Sequence, residues 1–207
     1  MKVLLHPSYF PSISQFVLLA KATETVFEKG DNYQKQTYRN RMYIYGANGK
    51  QLLSIPIKHL GNNGRQLYKD VKIENDFQWQ KQHWKSIESA YRTSPFFEFY
   101  EDEFAHLFEK KQEFLFDFNL KTTEIIMDCL QLEADFQFTE EYFATPKDQQ
   151  DFRPLVNAKS KIGQDITPYT QVFEEKHGFI PNLSTLDLLF NEGTNALTYL
   201  EEQNIAL

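Results

Sequence analysis

The 207-residue chain has little of what would assign it to a protein class at once. Its single cysteine, Cys129, excludes a disulfide framework and any zinc site built from cysteines. No run of about 18 apolar residues occurs, so no membrane-spanning helix is predicted. The short apolar start is broken by His6 and Pro7, unlike a signal peptide. We therefore expect a cytoplasmic protein.

Familiar catalytic motifs are missing as well. The phosphate-binding patterns GxxxxGK[ST] and GxGxxG do not occur, and neither do HExxH and GxSxG. Histidines do not cluster with Asp or Glu at the spacing of metal ligands. We therefore expect neither a metal nor a cofactor, and any catalytic role has to be argued from less specific features.

Charge is unevenly distributed along the chain, whose net charge is −7. Residues 1–95 contain 14 Lys and Arg against 7 Asp and Glu, whereas residues 96–207 contain 8 against 22. A basic half on an acidic protein indicates an anionic ligand or a charged partner surface. Pairing of the two halves with each other is an equally good explanation.

Aromatic residues are abundant, with 19 Phe and 11 Tyr, and predict a core of large rings. At the start of the chain, the pattern predicts a buried strand over residues 3–5, a helix over 14–23 and a second strand over 25–28. The loop His6–Pro11 (HPSYFP) then lies between the carboxyl end of the first strand and the helix. Open α/β sheets bind ligands at that position, and unpaired backbone N–H groups there favour anions.

The rest of the chain divides into a sheet-forming and a helical part. Asn48-Gly49 between two apolar runs predicts a β-hairpin, and a helical period begins after residue 75. We predict one α/β or α+β domain over 1–207, in which a mixed sheet from residues 1–75 is covered by helices from 76–207. Without a Gly-, Pro- or Ser-rich linker, the two parts should share one core.

The opening loop is the first of three candidate functional segments. His6 titrates near neutral pH and Tyr9 can donate a hydrogen bond or stack on a ring, while Pro7 and Pro11 stiffen the backbone. A simple strand-ending turn would explain the same residues.

The second segment is the basic, tyrosine-containing stretch 33–41. Arginine binds phosphate or carboxylate with two parallel hydrogen bonds, and tyrosine can stack on a base or sugar. A solvated edge strand protected by cations is the alternative. The candidate binding residues are Lys35, Tyr38, Arg39, Asn40 and Arg41.

The third segment is the helix that carries Trp79, His83, Ile87 and Tyr91 on one stripe, with Trp84 beside them. Core packing is the simple explanation, although His83 could also face a cleft. All three segments lie in the basic half. A cleft of His, Tyr, Lys and Arg side chains fits an anionic or phosphate-activated substrate.

Five segments together resemble the WbqC-like family of bacteria. They are HPSYFPSISQF, YQKQTYRNR, GKQLLSIPIK, WQKQHWKSIESAYRTSPFFEFY and LSTLDLLFNEG. The resemblance implies a link to surface polysaccharide (O-antigen) assembly, with a transferase role supposed for some members. The family motifs map onto His6, Tyr9, Pro11, Lys35, Arg39, Asn40, Arg41, His83, Trp84, Tyr91, Pro95 and Asp187.

Two departures from the family pattern bear on mechanism. Many members of the family begin the first motif with Gln-Pro where this chain has His6-Pro7, and many have Trp at the position of Ser12. An exchange of His for Gln argues against obligatory proton transfer by His6 and favours a hydrogen-bonding role. If the protein has a general acid or base, His83 is then the better candidate for it.

Two functions from different classes are left open. In the first, a group transferase acts on a nucleotide-linked sugar or another phosphate-activated sugar, or on an acyl or aminoacyl donor. Lys35, Arg39 and Arg41 would hold the phosphates, His83 would be acid or base, and Tyr9 and Tyr91 would line the acceptor site. In the second, a non-catalytic module binds RNA or an acidic protein through its basic half. The acidic pI argues against nucleic acid. We favour the transferase and leave homo-oligomerisation open.

Overall fold

The computed structural model describes residues 1–58, 65–159 and 165–205. The strands in these ranges are β1 (Lys2–Leu5), β2 (Glu24–Phe27), β3 (Arg41–Gly46), β4 (Gly49–Ser54), β5 (Phe136–Phe138) and β6 (Gln150–Asp151). The helices are α1 (Ile13–Lys21), α2 (Trp79–Tyr91), α3 (Phe97–Ala105), α4 (Leu115–Leu130), α5 (Glu174–His177), α6 (Thr185–Glu192) and α7 (Ala196–Glu202). Short 3₁₀ turns occupy Tyr68–Asp70, His106–Phe108, Arg153–Val156 and Gly193–Asn195.

A four-stranded parallel sheet in the order β5-β2-β1-β6 carries the site. Val3 and Leu5 of β1 pair with Thr25 and Phe27 of β2, and α1 connects the two strands. Because β1 lies in the middle of the sheet, its apolar side chains are almost completely buried. The predicted strand–loop–helix–strand opening is confirmed, and with it the α/β class.

The antiparallel hairpin β3–β4 is also confirmed, but it forms a sheet of its own. Its register runs from Arg41 opposite Ser54 to Gly46 opposite Gly49. Gly49 has a φ of +95°, a conformation that glycine adopts without steric cost. The expected single mixed sheet is therefore two sheets.

The outer strands β5 and β6 come from residues 136–151, which the sequence pattern did not assign to a sheet. β5 pairs with β2, and β6 places Gln150 and Asp151 beside Val3 and Leu4 of β1. Strands of three and two residues are too short to show a period in the sequence. By this pairing, β6 brings a segment that is distant in the sequence to the carboxyl end of β1.

The helices agree with their predicted periods better than with their predicted ends. The stripe of α2 is buried, but α2 begins only at Trp79, a few residues beyond residue 75, after which the sequence becomes helical in period. Ser184 caps α6 and accepts a hydrogen bond from the backbone N–H of Leu186. Among the described residues, no helix has the length and apolar character needed to cross a lipid bilayer.

Aromatic rings fill the core, as the composition predicts. Phe10 stacks on Phe108 with ring centroids 6.0 Å apart, and the Phe190 ring meets Phe97 at 5.2 Å and Phe104 at 5.7 Å. The buried cluster extends from Val3 to Leu200. Phe104, whose ring centroid also lies 5.9 Å from that of Phe10, thus links the opening loop to Phe190 of α6.

Two glycines with positive φ provide a matched test of this aromatic packing. Gly193 has φ +56° and Gly178 has φ +73°. A Cβ atom added to Gly193 would lie 2.5 Å from the Phe96 ring, whereas one added to Gly178 would have nothing within 4 Å. Backbone strain acts in both alanine variants, but only Gly193→Ala adds a collision, which is with the Phe96 ring.

We expect Gly178→Ala to lower the free energy of unfolding by about 1–2 kcal/mol, and Gly193→Ala by about 3–5 kcal/mol. Urea unfolding of the two variants and the wild type measures this difference. Phe96→Ala added to Gly193→Ala should recover part of the loss. Equal losses in the two single variants would contradict the proposed collision.

Candidate functional site

The loop His6–Pro11 is fixed by hydrogen bonds to its backbone. The carbonyl of His6 accepts from Gln15 Nε2 at 3.1 Å, and that of Pro7 accepts from the Tyr68 hydroxyl at 2.8 Å. The backbone N–H of Tyr9 donates to the carbonyl of Tyr38 at 2.9 Å. The loop therefore enters the site with a defined shape, as its two prolines suggest.

Phe10 holds the same loop in a strained conformation, since its φ of 41° is rare for a residue other than glycine. Its N–H donates to Thr122 Oγ1 at 3.2 Å, and its carbonyl accepts from Ser184 Oγ at 3.0 Å. Strain of this kind persists only where the surroundings fix it, and it is frequent at functional sites. Helices α4 and α6 thus support the loop from behind.

A polar cavity of about 340 Å³ opens where the carboxyl ends of β1, β2 and β6 meet. Parallel sheets bind ligands at this edge, and the volume lies within the range of small-molecule sites. The cavity is lined by His6, Asp31, Gln34, Arg39, Tyr142, Asp151, Arg153, Pro154, Val156 and Asn157. Most of these side chains are polar, so the cavity suits a hydrophilic ligand.

His6, Asp31 and Arg39 form a compact triangle in its wall. Arg39 Nη2 lies 2.7 Å from His6 Nε2 and 2.9 Å from Asp31 Oδ2, and the last two atoms are 3.1 Å apart. Burial, together with the Arg39 charge, lowers the pKa of His6 to about 4, so the imidazole is neutral at pH 7. Burial alone would raise the pKa of Asp31, but His6 and Arg39 lower it.

Arg39 has unused hydrogen-bonding capacity inside the protein. Its side chain is only 1% exposed, its guanidinium lies 5.3 Å from the centroid of the Tyr68 ring, and its carbonyl accepts from Asn119 Nδ2 at 2.6 Å. Within the described residues, Arg39 Nε and Nη1 and His6 Nδ1 have no hydrogen-bond partner. Buried N–H groups without partners are uncommon in proteins.

A second guanidinium, that of Arg153, also lines the cavity. It donates to Asp151 Oδ2 at 2.7 Å and to Glu28 Oε2 at 3.4 Å, and it lies 5.3 Å from the centroid of the Tyr142 ring. Sequence reasoning missed Arg153 and its carboxylate partners. Asp31 had a usable signal, because it follows the predicted second strand; Arg153, in an irregular acidic segment, had none.

Tyr9 and His83 lie together in the core and do not line this cavity. The Tyr9 hydroxyl is 2.9 Å from His83 Nδ1, and the Trp79 ring packs against the imidazole with centroids 5.2 Å apart. Tyr9 is fully buried and His83 is 5% exposed. Burial lowers the pKa of His83 to about 4. The pair joins the opening loop to α2.

The remaining members of the basic stretch are placed apart from one another. Tyr38 is buried, and burial raises its pKa to about 12. Asn40 donates to the carbonyl of Ile55 at 3.0 Å, Arg41 begins β3, and Lys35 is exposed. Of the five candidate binding residues in this stretch, only Arg39 lines the cavity, together with Gln34 of the same stretch.

The predicted aromatic residues of α2 pack inside the protein. Trp84 lies between Phe97 and Phe108, with ring centroids 6.2 and 5.5 Å away. The Tyr91 hydroxyl donates to Asp187 Oδ1 at 2.8 Å, and Tyr169 and Gln171 also donate to this carboxylate. Complete burial raises the pKa of Asp187. These contacts hold α2, α6 and the segment before α5 together.

No group of three His, Cys, Asp or Glu side chains is arranged to hold a metal ion in the parts of the chain that the structure describes. The cavity instead offers guanidinium and carboxylate groups. Such groups recognise polar organic ligands by hydrogen bonds and charge.

Fold and cavity define an α/β protein with a polar site at the carboxyl edge of a parallel sheet. The chain belongs to the WbqC-like protein family, whose model matches residues 6–166. The resemblance is thereby confirmed, although the segment at 183–193 lies beyond the match. The chain is 25% identical over 222 residues to the uncharacterized protein Rv1507c of Mycobacterium tuberculosis (strain ATCC 25618 / H37Rv), covering 93% of this chain and 94% of that protein. No solved structure matches significantly.

From the burial of His6 and His83 we predict that the free energy of unfolding depends on pH. Both pKa values fall from 6.5 to about 4 in the folded state. Between these values the unfolded chain binds more protons, so stability is fully present above pH 6.5 and declines as the pH falls towards 4. At pH 5 each histidine should contribute a loss of about 2 kcal/mol relative to neutral pH.

Urea unfolding at about pH 7.5 and about pH 5 tests this expectation on the wild type, His6→Gln, His83→Gln and the double variant. Each substitution should remove about 2 kcal/mol of the pH-dependent loss, because glutamine does not titrate in this range. A wild type with equal free energies of unfolding at both pH values would refute this assignment.

Proposed function

We propose that the protein is a group transferase that acts on a phosphate-activated sugar, or on an acyl or aminoacyl donor, in surface polysaccharide biosynthesis. In this proposal the donor's anionic group occupies the cavity at the ends of β1, β2 and β6. Membership of the WbqC-like family supports the biosynthetic setting, and the chemistry of the cavity wall supports the substrate class.

The proposal depends on the Arg39 guanidinium, two of whose three nitrogens have no hydrogen-bond partner in the part of the chain that the structure describes. Its Nε and Nη1 atoms are buried and lack partners within the described residues, while Nη2 is held by Asp31 and His6. The N–H groups of Nε and Nη1 point in different directions, and each can donate a hydrogen bond to a phosphate or carboxylate oxygen. A bound anion would satisfy donors that are otherwise costly to bury.

Other residues of the wall have supporting roles in this proposal. Arg153 is the second cation, and Asp151 and Glu28 hold it in place. Tyr142, which is 47% exposed, offers a ring face on which a sugar can pack. His6 hydrogen-bonds the ligand without accepting its proton, a role that glutamine could share. His83 acts indirectly, by positioning the loop through Tyr9.

A thermal-shift screen with UDP-glucose, UDP-N-acetylglucosamine, glucose 1-phosphate and acetyl-coenzyme A tests the substrate class. A ligand present at about 100 times its Kd should stabilise the protein by about 2.7 kcal/mol. Arg39→Lys should weaken binding about ten-fold or more, because one ammonium cannot keep the contacts to Asp31 and His6 and also supply the separate donors of Nε and Nη1. Arg153→Lys provides a second variant among the residues that line the cavity.

Lys85→Gln is the matched control, because Lys85 is an exposed cation on α2. It should leave every ligand-induced shift unchanged. Circular dichroism establishes that each variant is folded before binding is compared. If none of the four compounds stabilises the wild type, and an RNA oligonucleotide binds with a steep salt dependence, the transferase is contradicted in favour of the binding module.

A further inference from the structure

The charges around the cavity are mixed in sign. Arg39 and Arg153 supply two cations, His6 is neutral, and Asp31 and Asp151 supply two carboxylates in the same wall. A third carboxylate, Glu28, lies behind Arg153 at 3.4 Å. A site for a multiply charged phosphate alone would carry an excess of positive charge, because recognition requires complementary potentials.

The carboxylates retain capacity to accept hydrogen bonds. Among the residues that the structure describes, Asp31 Oδ1 accepts only the N–H of Asn32, at 2.7 Å, while its Oδ2 contacts Arg39 and His6. Asp151 Oδ2 accepts from Arg153 alone among the described residues. Each ionised carboxylate offers about four lone-pair positions, so both have positions left for a ligand donor. The wall thus presents free acceptors as well as the free donors of Arg39.

We infer that the ligand of this cavity carries a protonated amine in addition to its anionic group, as an amino-sugar phosphate does. This inference rests on the proposed function and narrows its substrate class. The phosphate accepts hydrogen bonds from Nε and Nη1 of Arg39, and the ammonium binds the carboxylates of Asp31 and Asp151. A hydroxyl in place of the amine keeps one hydrogen bond but loses the attraction between opposite charges.

Two pairs of probes isolate the amine. Glucosamine 1-phosphate is compared with glucose 1-phosphate, and glucosamine 6-phosphate with glucose 6-phosphate, by thermal shift and calorimetry on the full chain. Members of a pair differ only in the amine or hydroxyl at the second carbon. In at least one pair, the amino sugar should bind about ten-fold more tightly, and N-acetylation of that sugar should abolish the preference.

Asp31→Asn and Asp151→Asn test which groups hold the amine. At least one of them should remove the preference for the amino sugar, measured as the ratio of the two Kd values within a pair, which is independent of any common loss of phosphate affinity. Asp102→Asn, which changes an exposed carboxylate on α3, should retain the preference. Preference measured on the wild type alone remains decisive if a variant does not fold.

The possible failures are distinguishable. Equal binding of amino sugar and parent sugar in both pairs overturns the inference and leaves the proposed function standing. Binding of none of the four compounds, together with no response in the nucleotide-sugar screen, contradicts both.

Discussion

The site depends on the burial of one guanidinium, that of Arg39. Removing such a charge from water is costly unless neighbouring groups compensate. Asp31 supplies the counter-charge, His6 a hydrogen bond and Tyr68 an aromatic face. Because these groups follow β1 and β2 or lie in the 3₁₀ turn at 68–70, one buried cation fixes the relative positions of three distant segments.

The stiffness of the His6–Pro11 loop follows from that requirement. A buried imidazole that contacts both an arginine and an aspartate must be held within a few tenths of an ångström to keep either contact. Prolines restrict the backbone, and the left-handed conformation of Phe10 changes its direction. Thr122 accepts a hydrogen bond from the Phe10 N–H, and Ser184 donates one to the Phe10 carbonyl. Helices from the second half of the chain therefore support a loop that comes from its N-terminal end.

Sequence reasoning found the parts of this molecule that local patterns encode. The β1–loop–α1–β2 opening, the hairpin at Gly49 and the buried stripe of α2 follow from periods of two and 3.6 and from turn chemistry. It missed β6 and Arg153, because a two-residue strand has no period and its pairing with β1 spans most of the chain. It also could not place His83 in the core, since a buried stripe and a cleft-facing stripe of a helix have the same spacing.

The uneven charge of the two halves of the sequence does not explain the site, because each half contributes side chains of both signs to it. The basic half contributes Asp31 and Glu28 as well as Arg39, and the acidic half contributes Arg153 along with Asp151. Cations and carboxylates that pair within one cavity cancel at long range, so the site has little capacity to attract an anion from solution. Discrimination then comes from short contacts inside the cavity, where salt screens charges less than at the surface. A mixed-charge site of this kind distinguishes ligands by the placement of their donors and acceptors, whatever their net charge.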